Sequence, residues 1–132
     1  MRRTLVTIFL IMVTASMVFG QNKTLSRSWL NGTWEGTGYQ IDTNSTWTML
    51  LTVKGNRYKI EYPSLNCEGR WRPIRITRTT ARFREILTTG VDVCANKGTL
   101  VIQRLSPRQL AFRYTNQGEM DVTSSSILNR KK

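Results

Sequence analysis

From Trp34 onward apolar and polar side chains alternate in short runs separated by turn residues, the period of two that marks strands with one buried face. No later stretch repeats its apolar positions at helical spacing. The first strand is predicted over 33–41, where Gly32, Gly36 and Gly38 announce tight curvature or close backbone approach. Trp47, Met49, Leu51 and Val53 share one face of a second strand, and Lys54-Gly55-Asn56-Arg57 reverses the chain into a third with Tyr58, Ile60 and Tyr62 on one side. A loop over 63–69 holds Cys67. Trp71, Ile74 and Ile76 mark a fourth strand whose alternation slips at Pro73, the mark of a bulge or an edge.

After a turn over 77–80, Ala81, Phe83, Glu85 and Leu87 share the inner face of a fifth strand, opposite Arg82, Arg84 and Ile86. Leu100 and Ile102 define a sixth strand, with Arg104 next in the inward alternation; Leu110, Phe112 and Tyr114 define a seventh. The last strand is predicted over 120–128, its Met120, Val122 and Leu128 interleaved with Ser124 and Ser126, and 129–132 as a frayed basic tail. About eight short strands joined by tight turns predict an all-β domain. The favoured architecture is an antiparallel up-and-down barrel, whose closure removes unpaired edges, and the alternative is a β-sandwich.

The start of the chain breaks this pattern. Arg2 and Arg3 precede an apolar run from Leu5 to Val13, then Ala15, Ser16, Val18 and Gly20, which reads as a signal peptide over 1–20 with cleavage after Gly20. The run is shorter than the roughly 20 residues that span a bilayer, so no stable membrane span is expected. Cleavage leaves 112 of the 132 residues: an N-terminal segment over 21–32, a single domain over 33–128 and the tail. A secreted or periplasmic location follows. Two cysteines in an exported chain, Cys67 and Cys94, read most simply as one disulfide; a zinc pair would lack further ligands, because the chain has no His.

With Arg2 and Arg3 removed, 18 Lys and Arg face 8 acidic residues, a formal charge of +10 that draws the domain toward anionic surfaces. Arg70, Arg72, Arg75, Arg78, Arg82 and Arg84 crowd into one predicted hairpin, so several share a cationic face suited to carboxylate, sulfate or phosphate, or else serve as a solvated surface that discourages aggregation. Nucleic acid is not an expected partner, since the hairpin's aromatics, Trp71 and Phe83, fall on the core side and leave no stacking platform.

Catalytic machinery is sparse: no His, two cysteines expected to be bonded, and scattered acidic residues, so no catalytic residue, metal or cofactor is expected. Glu85 stands out, because a carboxylate on an inner face must be paired or become neutral. Its expected partners are Arg104 or the hydroxyl of Tyr58 or Tyr62, either as scaffold or as the polar anchor of a ligand pocket inside the barrel. Sequons at Asn22, Asn31 and Asn44 would mark surface segments in a eukaryotic secretory route.

Two resemblances add to this reading. Asn31-Gly32-Thr33-Trp34 resembles the Gly-x-Trp opening of lipocalins and avidins, with Arg130 an echo of the lipocalin closing Arg; it implies a barrel and no particular ligand. Tyr62-Pro63-Ser64-Leu65-x-Cys67-x-Gly69-x-Trp71, then Phe83-x-Glu85-Ile86, Gly90, Cys94 and Gly98, is similar to a small exported bacterial β-domain that brings no established activity with it. Glu68 is a departure confined to the loop. This likeness implies a bacterial source, a Cys67–Cys94 bond, and Glu85 as part of the scaffold or its pocket. The expected function is a non-enzymatic binding module for an anionic partner, whether acidic glycan, lipid headgroup or small ligand in the barrel. Inhibition of a secreted hydrolase, or hydrolysis through Glu85, are the alternatives.

Overall fold

The computed structural model of the chain describes residues 27–132. The expected signal peptide, the segment 21–26 and the sequon at Asn22 lie outside the described residues. Eight antiparallel strands follow one another: β1 (Gly32–Gln40), β2 (Thr46–Lys54), β3 (Arg57–Tyr62), β4 (Cys67–Ile76), β5 (Thr80–Thr89), β6 (Thr99–Ser106), β7 (Gln109–Thr115) and β8 (Ser124–Arg130). Each pairs with its neighbour, and β8 returns to β1, so the sheet is a closed up-and-down barrel. Among the described residues no helix is long and apolar enough to cross a membrane.

Alternation puts one face of every strand inside. Trp34, Leu51, Ile60, Phe83, Ile102, Leu110 and Leu128 have no exposed surface, while the intervening positions face solvent. Burial of this one face drives closure, since an open sheet would leave it wet. The slip at Pro73 is a bulge: Pro73 lies opposite Phe83 and Arg75 opposite Arg82, leaving Ile74 as the extra residue. Proline has no N–H for the ladder, so the ladder gives way beside it. Ile74, expected to mark the strand with Trp71, is therefore turned out and 51% exposed. β4 also starts earlier than expected: only Pro63–Leu65, a single 3-10 turn, and Asn66 separate it from β3.

The two ends differ. At one, a 3-10 turn (Ser28–Leu30) plugs the barrel: the Trp29 indole N–H donates to the Thr77 carbonyl at 2.9 Å and that of Trp34 to the Leu30 carbonyl at 2.8 Å. Arg130 stacks on the Trp34 ring, 4.1 Å from its centroid, and donates to the carbonyls of Pro107 (3.0 Å), Asn31 (2.5 Å) and Trp29 (3.4 Å). Asn129 and Arg130 thus belong to β8 rather than to a frayed tail, because both pair with β1, Asn129 opposite Glu35 and Arg130 opposite Trp34. The other end is open, ringed by the loops 41–45, 63–66, 90–98 and 116–123.

The last strand begins later than its alternation predicts. Met120 and Val122 are 96% and 41% exposed in the 116–123 loop, and only Ser124, Ser126 and Leu128 point inward. Tyr114 ends the β7 pairing at Ser124, its carbonyl accepting from the Thr123 backbone N–H, so the alternation of Met120 and Val122 has no partner strand to act on.

Candidate ligand pocket at the open end

Glu85 sits on β5 directly across from Trp71 on β4 and is 1% exposed. Its Oε2 accepts from the Trp71 indole N–H at 3.0 Å and from the Tyr62 hydroxyl. The Tyr114 hydroxyl acts on the same carboxylate and itself accepts the Gly98 backbone N–H at 3.1 Å. Glycine is required at 98, because a Cβ there would run into the Tyr114 ring. Burial pushes the Glu85 carboxyl above its ordinary range, and the donors from Tyr62, Trp71 and Tyr114 pull it back only in part. The same burial and the facing carboxylate push Tyr62 and Tyr114 upward, so both remain protonated donors.

Above this carboxylate the barrel is not filled. A cavity of about 280 Å³ opens between the mouth loops, floored by Glu85, Tyr62, Tyr114 and Phe112 and walled by Trp47, Leu65, Val93 and Cys94, with Gln40, Asn116 and Ser124 as further polar groups. The Trp47 indole lies over Gly38, its cross-strand partner, where any side chain would collide with it. Its ring also meets Tyr62 edge-on, 6.4 Å between centroids. The Cys67–Cys94 disulfide ties the start of β4 to the 90–98 loop, and Gly90 leaves room for the Cys67 sulfur. The bond therefore fixes one wall of the cavity.

Of the residues singled out in the sequence, Glu85 and Tyr62 come together here, while Tyr58 and Arg104 do not. Tyr58 is four residues from Tyr62 on β3, roughly 13 Å toward the closed end, where its ring packs on Phe83 at 4.8 Å. Its hydroxyl is buried without a hydrogen-bond partner among the described residues. Glu85 is bonded through its backbone N–H to the Gly98 carbonyl, whereas Arg104 lies six residues further along, roughly 20 Å away. Arg104 is exposed at the closed rim beside Thr79. Of the alternatives expected for Glu85, the Tyr62 hydroxyl is the one that meets it, and in place of Arg104 or Tyr58 the further donors are Trp71 and Tyr114, which alternation alone does not single out. Trp47, Phe112, Val93 and Ser124 line the cavity as well; inward parity in the sequence is the signal for Trp47, Phe112 and Tyr114, whereas Val93 comes from a loop and carries none.

Arg70, Arg72, Arg75, Arg82 and Arg84 project outward from β4 and β5, with Arg78 in the turn between them. Arg72 faces Arg84 and Arg75 faces Arg82 directly across the ladder, and none of the six is in an ion pair among the described residues. Charge at the mouth has the other sign: Asp42, Asp92, Glu119 and Asp121 are all exposed in its loops. No group of three or more His, Cys, Asp or Glu among the described residues is placed to hold a metal.

No protein-family model matches the chain, and no curated protein matches it. Among solved structures it is similar to a redesigned beta barrel, with a TM-score of 0.57 and 14% identity over 83% of this chain and 98% of the other. At that identity the likeness speaks for the fold alone.

Proposed function

We propose that this protein is an exported, non-enzymatic binding module that receives a small ligand in the open end of its barrel. The observation that carries this is the cavity of about 280 Å³ above Glu85, close to the lower end of the roughly 300–1,000 Å³ of small-molecule sites. Aromatic walls with a few convergent polar groups give a ligand an apolar bed and a fixed orientation. The polar groups favour one sign of ligand: Glu85 is an acceptor, and the rim is acidic, so a neutral donor or a compact cation fits better than an anion. An anionic partner belongs instead to the outer arginines. The lining holds one carboxylate and no Lys, Arg or His, which supports binding over hydrolysis. A disulfide at the cavity wall fits an oxidising compartment outside the cytoplasm.

The test uses three probes of one shape and different charge: phenethylamine, 2-phenylethanol and phenylacetate. The amine and the alcohol are expected to shift the indole N–H resonances of Trp47 and Trp71 and to raise Tm, phenylacetate least, and Glu85→Gln should weaken the amine selectively. Silence of both indoles toward all three probes, or a preference for phenylacetate, would refute the reading.

A further inference from the structure

The barrel is electrically polarised along its axis. Lys97 is the single basic residue of the mouth loops, whereas the closed end carries Lys54 and Arg57 at the β2–β3 turn, Arg75 and Arg78 at the β4–β5 turn, and Arg104 and Arg108 at the β6–β7 turn. Cations are also forced together there, as in the directly opposed pair Arg75 and Arg82. Like charges across a ladder destabilise a sheet, and nothing in the described residues neutralises them. Such a concentration is relieved by an external anion.

A second feature says which kind. Two register shifts interrupt the ladders near this end, one between Pro73 and Arg75 and one between Arg104 and Ser106. At each an aliphatic side chain stands exposed beside arginines: Ile74 is 51% exposed and Leu105 48%. Neither contributes to the core cluster. A hydrated polysaccharide gains little from exposed aliphatics, whereas a bilayer interface takes cations at its phosphates and apolar groups at the acyl boundary below them. Arginine suits the phosphate level because its fork bonds two oxygens at once.

We propose that the closed end docks on an anionic phospholipid surface. Arg75, Arg78, Arg104 and Arg108 meet headgroup phosphates, Ile74 and Leu105 enter the boundary beneath, and the acidic mouth with its cavity faces away. Stable attachment at an interface generally takes two kinds of signal, and this end has both.

The experiment floats the oxidised, exported protein with vesicles of phosphatidylcholine alone, or with about a third phosphatidylglycerol, in about 0.1 M salt, where the Debye length is about 10 Å. Flotation is expected with the anionic vesicles only. Each of Arg75→Gln, Arg78→Gln, Arg104→Gln and Arg108→Gln should lower partitioning about fivefold. Ile74→Ser with Leu105→Ser, which leaves the charge unchanged, should lower it about tenfold or more. Lys97→Gln, an equal charge change at the mouth, should leave it unaltered. All these positions are exposed, and near-UV circular dichroism checks that each variant keeps its packing. Failure to float with anionic vesicles overturns the proposal, as does a loss with Lys97→Gln equal to that with the rim arginines. Indifference to the paired serine substitutions, together with equally tight retention on heparin, would show a charge-only surface for polyanions and overturn it too.

Discussion

Replacing Glu85 separates what its carboxylate costs from what it holds. In Glu85→Ala, three donors lose their acceptor: the Trp71 indole, the Tyr62 hydroxyl and the Tyr114 hydroxyl. A stranded buried donor costs about 1–3 kcal/mol. Tyr62 and Tyr114 border the cavity, where water can serve them, but Trp71 is 2% exposed and has no such relief. The net loss is therefore about 3–4 kcal/mol, a fall in Tm of roughly 15–25 °C for a domain of this size. Glu85→Gln keeps an oxygen for Trp71 and Tyr62 and escapes the burial penalty that raises the carboxyl, so its loss should stay under about 1.5 kcal/mol.

The sign of the pH effect follows from the raised carboxyl. Its contribution is fully present below the ordinary Glu range and is lost as pH climbs through the elevated value, so the wild type gains on Glu85→Gln toward acid and yields toward neutral. Urea denaturation from pH 4 to 8 measures all three proteins. In a Trp71→Phe background, Glu85→Ala should cost about 1–2 kcal/mol less, since the donor it strands is gone. An alanine variant within 1 kcal/mol of wild type, or a glutamine variant as damaged as the alanine one, refutes this account of the carboxylate.

Reducing the Cys67–Cys94 bond, which spans 27 residues, should lower stability by about 3–4 kcal/mol in the chain-entropy model and loosen the 90–98 wall, read as a fall in Tm with faster amide exchange there. Tyr58→Phe removes a buried hydroxyl that has no partner among the described residues, so it should be neutral or stabilising by up to about 1 kcal/mol in urea denaturation. Ser124→Leu should fill the cavity from β8, raising Tm by a few degrees and abolishing the probe-induced shifts at Trp47.

How much of this was legible in the chain depends on distance along it. A period of two is a local property, so the strands and their inner faces, from Trp47 to Val53 or from Ala81 to Leu87, could be read directly. Pairing is not local. That Trp71 stands opposite Glu85 depends on the β4–β5 register, which Ile74 shifts by one residue. Arg104 shows the other way parity misleads: it continues the alternation of Leu100 and Ile102, yet it lies at the closed rim, where a long side chain reaches water. Met120 and Val122 alternate with no strand beside them. The polarity of the barrel was hidden for the same reason, since Arg57, Arg78 and Arg108 come from three separate turns that only the closed sheet gathers at one end.

Whether such a barrel holds a pocket or a solid core is settled by where its bulk lies along the axis. The large fully buried side chains, Trp34, Trp71, Phe83 and Phe112, stack from the plugged end to the level of Glu85, with Trp71 and Phe112 nearly parallel 5.8 Å apart. Past that level the inward positions become small. Gly38 yields its place to the flanking Trp47 ring, and Ser124 and Ser126 stand where an aliphatic residue would close the barrel. Ser124 borders open space rather than a packed neighbour. Packing alone would favour filling that space, because each absent methylene forgoes about 0.8 kcal/mol of burial. Small side chains on the strands that line the mouth, above a carboxylate held by three donors, suit the proposed binding site and run against what packing for stability alone would favour.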